Sequence, residues 1–100
     1  MKKEIFNQYL NAIIKMYGIE RSELLSNCKK RNVADARLLL YYLCHIRPMR
    51  YSEIQNYMKE EGYDPQHTPI IKGIKRISER IEKDPDYQVV IDRIKNKVFI

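Results

Sequence analysis

The chain has 100 residues, which is enough for one compact domain and too few for two ordinary ones. It is 44% hydrophobic and 32% charged, a composition typical of a globular protein and not of a disordered one. Nineteen Lys and Arg against thirteen Asp and Glu give a formal net charge of +6, which favours a polyanionic partner such as nucleic acid. The three glycines form no phosphate-binding loop, and two cysteines are too few for a disulfide framework or a thiolate zinc site. We therefore expect a protein that is not an enzyme and that uses no metal and no cofactor.

The N-terminus has none of the features of a secretory signal. Lys2 and Lys3 are followed by a segment in which polar residues interrupt the apolar region that a signal needs. The longest uninterrupted apolar run, residues 38–44, is far too short to span a membrane. We therefore expect a cytoplasmic protein with no membrane partner.

The first half of the chain contains three predicted helices and one basic loop. Apolar residues recur at helical spacing over residues 4–17 and predict an amphipathic helix. A short helical turn is expected over residues 19–25, with Ser22 as its candidate cap. Residues 26–32 are polar and basic and are predicted to form a loop. Residues 33–46 are apolar almost all round, a pattern typical of a helix in the middle of a domain.

The second half of the chain contains three more predicted helices. Capping-box spacing at Ser52 predicts a helix over residues 52–61. Thr68 is the predicted cap of a helix over residues 69–83, because a proline follows it and suits the first helical position. A last helix is expected over residues 87–97. No segment shows sustained strand alternation, so we predict an all-α fold: a single helical domain of about five to six helices, with a central buried helix and a helix-turn-helix.

The basic excess is confined to two regions of the sequence. Residues 29–50 contain six basic residues and one acidic residue, and residues 72–83 contain five basic and two acidic residues. Within the second region, Lys72, Lys75 and Arg76 fall on the side of the helix opposite its isoleucine stripe. Two such clusters favour a nucleic acid, because much of the affinity for a phosphate backbone comes from localised positive charge.

The helices predicted over residues 52–61 and 69–83 have the lengths of a helix-turn-helix, although the turn between them is longer than usual. In that motif the N-terminal end of the second helix meets base edges. Here that end is formed by Gln66, His67 and Thr68. A glutamine can pair bidentately with adenine, and a threonine methyl can contact the methyl group of thymine.

Two motifs resemble the C-terminal DNA-binding domain of the bacterial replication initiator DnaA. Residues 29–37, Lys-Lys-Arg-Asn-Val-Ala-Asp-Ala-Arg, are similar to its basic loop and central helix. Residues 67–77, His-Thr-Pro-Ile-Ile-Lys-Gly-Ile-Lys-Arg-Ile, look like its signature Asp-His-Thr-Thr-Val and the recognition helix behind it. The resemblance spans about residues 20–97 and implies a Trp-repressor-like helical fold that binds duplex DNA. On this basis residues 1–100 are expected to form one such domain, with residues 1–18 as an added N-terminal helix.

The resemblance also implies a role for individual positions. Lys29 takes the place of the family residue that enters the minor groove, with Arg31 beside it, and residues 66–68 take the base-reading places in the major groove. Arg37 and Lys72 fall at backbone-contact positions. The complete set of predicted DNA-binding residues is Lys29, Lys30, Arg31, Arg37, Gln66, His67, Thr68, Lys72, Lys75 and Arg76.

The sequence departs from the family pattern at several of these positions. Gln66 replaces the family's aspartate, Pro69 its second threonine, and Lys29 its minor-groove arginine, whose planar fork a lysine does not have. About four extra residues within residues 58–65 lengthen the turn. The ATPase module that precedes this domain in the family has no counterpart in the chain, so DNA binding is expected without ATPase activity and without the family's own recognition sequence.

Two functional hypotheses follow from the sequence. The leading one is a sequence-specific double-stranded DNA-binding protein that regulates replication or transcription, encoded by a bacterium, a phage or a mobile element. The alternative is a protein-interaction module or adaptor that kept the fold without DNA binding. In that case the first helix and the apolar C-terminal tail, residues 98–100, would form a homodimer or protein-partner face instead of completing the core.

Overall fold

The structure, a computed structural model, describes residues 2–97 of the chain. Within these residues it contains six α-helices and no β-strand, so the predicted all-α class is confirmed. The helices in chain order are α1 (Lys2–Tyr17), α2 (Arg21–Leu24), α3 (Arg31–His45), α4 (Tyr51–Glu60), α5 (His67–Lys83) and α6 (Asp86–Lys95). No helix in the described part of the chain has the length and apolar character needed to cross a lipid bilayer.

The central position of α3 is confirmed. It packs against α1, α2, α4 and α5, and eight of its fifteen residues are buried. This arrangement follows from its sequence, because a helix that is apolar on most sides is stable only when neighbours cover each of those sides. The hydrophobic core therefore surrounds α3, and the other helices keep their polar faces in water.

Helix α1 buries its apolar stripe against this core. It packs on α3 and α6, and Gly18 ends it with a φ of 63°, a left-handed conformation that glycine adopts without steric cost. The stripe consists of Ile5, Phe6, Tyr9, Leu10 and Ile13, all buried. The expectation that α1 offers a partner face is therefore not supported, because its apolar side chains already complete the core. The second predicted face, residues 98–100, lies outside the described residues.

The predicted starts of α2 and α4 differ from the observed starts by one or two residues. Helix α2 follows Glu20, whose backbone N–H donates to the Glu23 carboxylate at 3.1 Å, so Ser22 lies inside the helix and does not cap it. Helix α4 follows Arg50, whose N–H donates to Glu53 at 2.9 Å, and Ser52 is already helical. In both cases a glutamate in the first turn accepts the N–H of the residue before the helix, which would otherwise lack a partner, so the helix begins ahead of the serine.

Helices α5 and α3 also begin earlier than predicted. Helix α5 starts at His67, so Thr68 is its second residue and Pro69 its third. A proline is still compatible with this place, because the first four N–H groups of a helix have no partner within it. Helix α3 starts at Arg31, which moves this arginine from the predicted loop onto the first helical turn.

Ion pairs join α1 and α2 to α4. Lys2 pairs with Glu53 at 3.2 Å, Lys3 pairs with Glu61 at 3.1 Å, and Arg21 also pairs with Glu61. Hydrogen bonds from Arg21 and Lys3 lower the pKa of the Glu61 carboxyl below its ordinary value. Because the folded state holds this group more readily ionised than the unfolded chain does, the contribution to stability is present at neutral pH. It is lost as the pH falls through the lowered pKa.

Replacing Glu61 by Gln is expected to lower the free energy of unfolding at pH 7 by about 1 kcal/mol or less, as for other solvent-exposed ion pairs. The difference from the original chain should shrink as the pH falls through the lowered pKa of the Glu61 carboxyl, below which this group is protonated in both states. Thermal denaturation at pH 7 and at a series of decreasing acidic pH values measures both effects. The control is Glu82→Gln, because Glu82 is exposed and forms no ion pair within residues 2–97. An equal effect of the two substitutions at pH 7 would contradict the assigned role of Glu61.

Candidate nucleic-acid interface

Close packing of α5 on α3 determines where the basic residues of the two helices lie. A Cβ atom built on Gly73 would lie 2.6 Å from Leu38 Cδ2 and 3.3 Å from Tyr41 Cδ2. Only a glycine lets the two helix backbones approach this closely without a shift of the Leu38 side chain. The buried residues Ile70, Gly73, Ile74 and Ile77 face this contact and the core, as the isoleucine spacing predicted. The opposite side of α5 remains in solvent.

The start of α3 and the outer side of α5 line one cleft of about 670 Å³. Lys29 and Arg31 come from the α3 side, and Arg76 comes from α5. A shallower groove of about 410 Å³ continues along α5 beside Lys72 and Lys75. We call these five residues the basic surface. The structure therefore brings together two clusters that are separated by about forty residues in the sequence.

Arg80 and Lys83 line the same cleft but were not among the predicted site residues. Arg80 pairs with Asp35 of α3 at 3.9 Å, and its guanidinium lies 4.8 Å from the centre of the Tyr87 ring. The sequence could have indicated both as site residues, because both belong to the basic region over residues 72–83. What the sequence lacked was the position of α3, which places this edge of α5 next to Lys29.

The positive charge of the basic surface exceeds the negative charge of the three acidic residues that line the same cleft and groove, Asp35, Glu79 and Asp84. Within the described residues its five members form no ion pair, whereas Lys2, Lys3 and Arg21 on the other side of the molecule are paired with glutamates. Lys30 lies next to the surface and pairs with Glu23 at 3.4 Å, with 71% of its side chain exposed. Unpaired cations on one face concentrate the positive potential there.

Arg37 differs from the other predicted site residues because it is buried, whereas they are exposed. It is only 9% exposed, and its guanidinium donates hydrogen bonds to the backbone carbonyls of Leu24 (2.9 Å), Glu23 (3.2 Å) and Cys28 (3.2 Å). The guanidinium also lies 5.6 Å from the centre of the Tyr63 ring. The Nε and Nη2 donors of Arg37 are thus used inside the protein, where they hold the end of α2 and the loop that carries Lys29, and this burial does not favour the predicted contact with a DNA backbone.

The three predicted base-reading residues lie together at the start of α5. Gln66, His67 and Thr68 are all exposed. Gln66 immediately precedes the helix with a φ of 68°, a left-handed conformation that is uncommon for a residue other than glycine and is often found at functional sites. The structure thus presents these side chains to solvent at the N-terminal end of a helix whose outer side is basic.

Asp64 supports this left-handed conformation and was missed from the sequence. Its carboxylate accepts the backbone N–H of Gln66 at 3.0 Å, the side-chain amide of Gln55 at 2.8 Å and the side-chain amide of Gln66 at 3.4 Å. The hydrogen bond from Gln55, followed by that from the Gln66 N–H, lowers the pKa of the Asp64 carboxyl. The sequence Asp-Pro-Gln at residues 64–66 could have predicted this contact, because aspartate side chains commonly accept the backbone N–H of the residue two positions later.

Comparison with known proteins gives one consistent result. The chain is 30% identical over 102 aligned residues to the chromosomal replication initiator protein DnaA of Campylobacter jejuni subsp. doylei, a match that covers 99% of this chain and 22% of the relative. The chain is similar to DnaA. It is also 29% identical to the DnaA of Aliarcobacter butzleri, over 90% of this chain and 20% of that protein. The resemblance predicted from the two motifs is confirmed.

The similarity to DnaA takes in nearly all of this chain, α1 included, but the chain spans only about a fifth of the length of these relatives. A third relative, the DnaA of Sulfurimonas denitrificans, is 29% identical over 86% of this chain and 19% of its own length. No protein-family model matches the chain, and no solved structure matches it.

Proposed function

We propose that this chain binds double-stranded DNA through the basic surface and the start of α5. One observation carries the proposal: five unpaired cations from the start of α3 and from α5 face solvent along one cleft and the groove beside it, in a chain similar to a chromosomal replication initiator. Such an array matches the regular negative charge of a duplex backbone, which supplies most of the affinity of non-specific binding.

In this proposal α5 enters the major groove and the loop before α3 reaches the neighbouring groove. The exposed residues at the start of α5, Gln66, His67 and Thr68, then lie at base edges, and Lys72 and Lys75 lie near phosphates. Arg76 faces the cleft shared with Lys29 and Arg31, so these three would hold the backbone strand that runs between the two grooves. Arg37 makes no DNA contact in this arrangement.

We further propose that the binding is sequence-specific and serves replication or transcription control. The first part rests on the polar side chains at the start of α5, whose hydrogen-bonding groups can discriminate base pairs in the major groove. The second part rests on the name of the relatives, chromosomal replication initiator protein. ATP hydrolysis is not part of the proposal, because these 100 residues contain no glycine-rich phosphate-binding loop. Residues 1–100 act in it as one domain.

A titration with a random-sequence duplex at 50 and 200 mM salt tests the proposal. If the five residues of the basic surface each neutralise a phosphate, log affinity should fall with log salt at a slope of about −4.5, or roughly 500-fold between the two salts. Fluorescence anisotropy of a labelled duplex measures both affinities. No binding at 50 mM salt, or an affinity that salt does not change, would contradict DNA binding and favour the protein-interaction alternative.

A pair of single substitutions locates the binding face. Arg76→Ala should reduce the magnitude of the salt slope by about 0.9, because it removes one phosphate contact from the basic surface. The matched control is Lys15→Ala, which also removes one exposed positive charge but lies on α1, on the opposite side of α3 from the proposed interface. Equal slopes for the two variants would mean that the bound DNA lies elsewhere on the protein.

A further inference from the structure

One large apolar side chain is exposed on the helix that we propose to enter the major groove. Ile71, in the second turn of α5, is 43% exposed. Within residues 2–97 the other exposed large hydrophobic residues are Ile46, just after α3, and Val89 on α6. Of these three residues, only Ile71 lies on α5.

Helical geometry places Ile71 among the proposed DNA contacts. At about 100° per residue it lies within about 60° of Thr68, three positions earlier, and within about 40° of Lys75, four positions later. The isoleucines that α5 contributes to the core, Ile70, Ile74 and Ile77, are buried. Ile71 lies within about 60° of Ile74 as well, so it borders the core stripe and presents an exposed apolar surface beside Thr68 and Lys75.

We propose that Ile71 is a specificity-determining residue that recognises a thymine through its 5-methyl group. This inference rests on the proposed function. The methyl group of thymine is the one apolar group that the four bases display in the major groove, and it distinguishes thymine from the other three bases. Ile71 lies about 4.5 Å further along the helix axis than Thr68, a distance comparable to the spacing of successive base pairs. The two residues would therefore face different bases.

The charges around Ile71 favour DNA over a protein as the molecule that covers it. Lys72 and Lys75 flank it and form no ion pair within the described residues. An apolar protein partner would have to bury these ammonium groups near its contact, which is costly unless each finds a carboxylate. In a major groove the same two lysines remain beside phosphates while the isoleucine contacts a base edge.

Replacement of thymine by deoxyuridine tests this inference, because it removes only the methyl group. A duplex is first selected from a random library with the original protein, and each thymine of the selected site is then replaced in turn. At one position we expect the affinity of the original protein to fall about fourfold, the value of one buried methyl group. Ile71→Ala should bind the thymine duplex at least about fourfold more weakly than the original protein does. The variant should bind the thymine duplex and the uracil duplex with equal affinity.

Two further variants keep the result interpretable. Ile71→Val retains an apolar β-branched side chain and should keep most of the sensitivity to uracil. Val89→Ala truncates an exposed apolar side chain on α6 and should respond to uracil as the original protein does. Thermal denaturation of all three variants verifies that each is folded at the temperature of the binding experiment.

The outcomes separate this inference from the proposed function. If the original protein and Ile71→Ala lose affinity equally at every uracil while both bind duplex DNA, Ile71 does not read a thymine but DNA binding stands. If Ile71→Ala keeps its DNA affinity and instead loses self-association in sedimentation, the side chain belongs to a protein contact and the inference is wrong. If the original protein binds no duplex at 50 mM salt, the proposed function is wrong, and the inference that rests on it is wrong as well.

Discussion

Replacing Arg37 by Ala is expected to lower the melting temperature by roughly 10–20 °C, the largest stability effect among the substitutions considered. The substitution removes a guanidinium that donates to the carbonyls of Glu23, Leu24 and Cys28 and leaves those carbonyls without these partners. Losing hydrogen bonds to a charged group at a buried site costs about 2–4 kcal/mol in total. In a domain of 100 residues each 1 kcal/mol corresponds to about 5 °C. Calorimetry or circular dichroism measures the shift.

Two control variants test the reason for this loss. Arg31→Ala removes an exposed arginine of the basic surface and should leave the melting temperature nearly unchanged while weakening DNA binding. Arg37→Lys keeps the charge but replaces the planar fork by a single ammonium that cannot reach three carbonyls at once, so it should recover only part of the loss. An Arg37→Lys variant as stable as the original chain would show that the charge alone is sufficient.

The second large expected effect is a change of preferred base in the Gln66→Asp variant. A glutamine amide both donates and accepts, which suits the N7 and N6 groups of adenine, whereas a carboxylate only accepts, which suits the amino group of cytosine. In the structure Gln66 uses its amide nitrogen toward Asp64 at 3.4 Å, which leaves its second amide hydrogen and its oxygen for a base. We expect the preferred base facing this position to change from adenine to cytosine. A correct pair is favoured by about 1–3 kcal/mol, or roughly 5- to 150-fold.

Selection from a randomised duplex library, run in parallel on both proteins, measures this change. The result is expressed as the ratio of bases at one position, because Gln66→Asp also places a second carboxylate beside Asp64 and should weaken binding to every sequence. The control is Gln66→Ala, which should lose the preference at that position and keep the preferences elsewhere. Identical selected sites for Gln66→Asp and the original protein would remove Gln66 from base recognition.

The positions of the helices follow from the sequence because helical periodicity is a local property. The isoleucine spacing of α5 identifies its buried side and its basic side without reference to any other helix. The apolar pattern of α3 predicts a central helix for the same reason. The helix starts were less predictable, because Ser22 and Ser52 suit a cap by residue type, whereas in the structure a first-turn glutamate accepts the N–H of an earlier residue.

Only the tertiary structure distinguishes Arg37 from the other arginines of the basic region. As a residue type an arginine is expected in solvent, and nothing local shows that the carbonyls at the end of α2 point toward α3 and require a donor. The exposure of Ile71 has a similar origin. An isoleucine next to Ile70 in the sequence is buried or exposed according to which sides of α5 are covered by α3, α4 and α6.

The sequence by itself determined the helical class, the central helix, the two faces of α5 and the resemblance to DnaA, because these depend on residue types and on spacing along one helix. The tertiary structure decided which cations meet. Lys29 and Arg76 line one cleft because α5 packs closely on α3 at Gly73, and the Asp64 carboxylate accepts the backbone N–H of Gln66 in its left-handed conformation. Contacts between distant segments depend on how helices pack in three dimensions, and the pattern within a single segment does not contain that information.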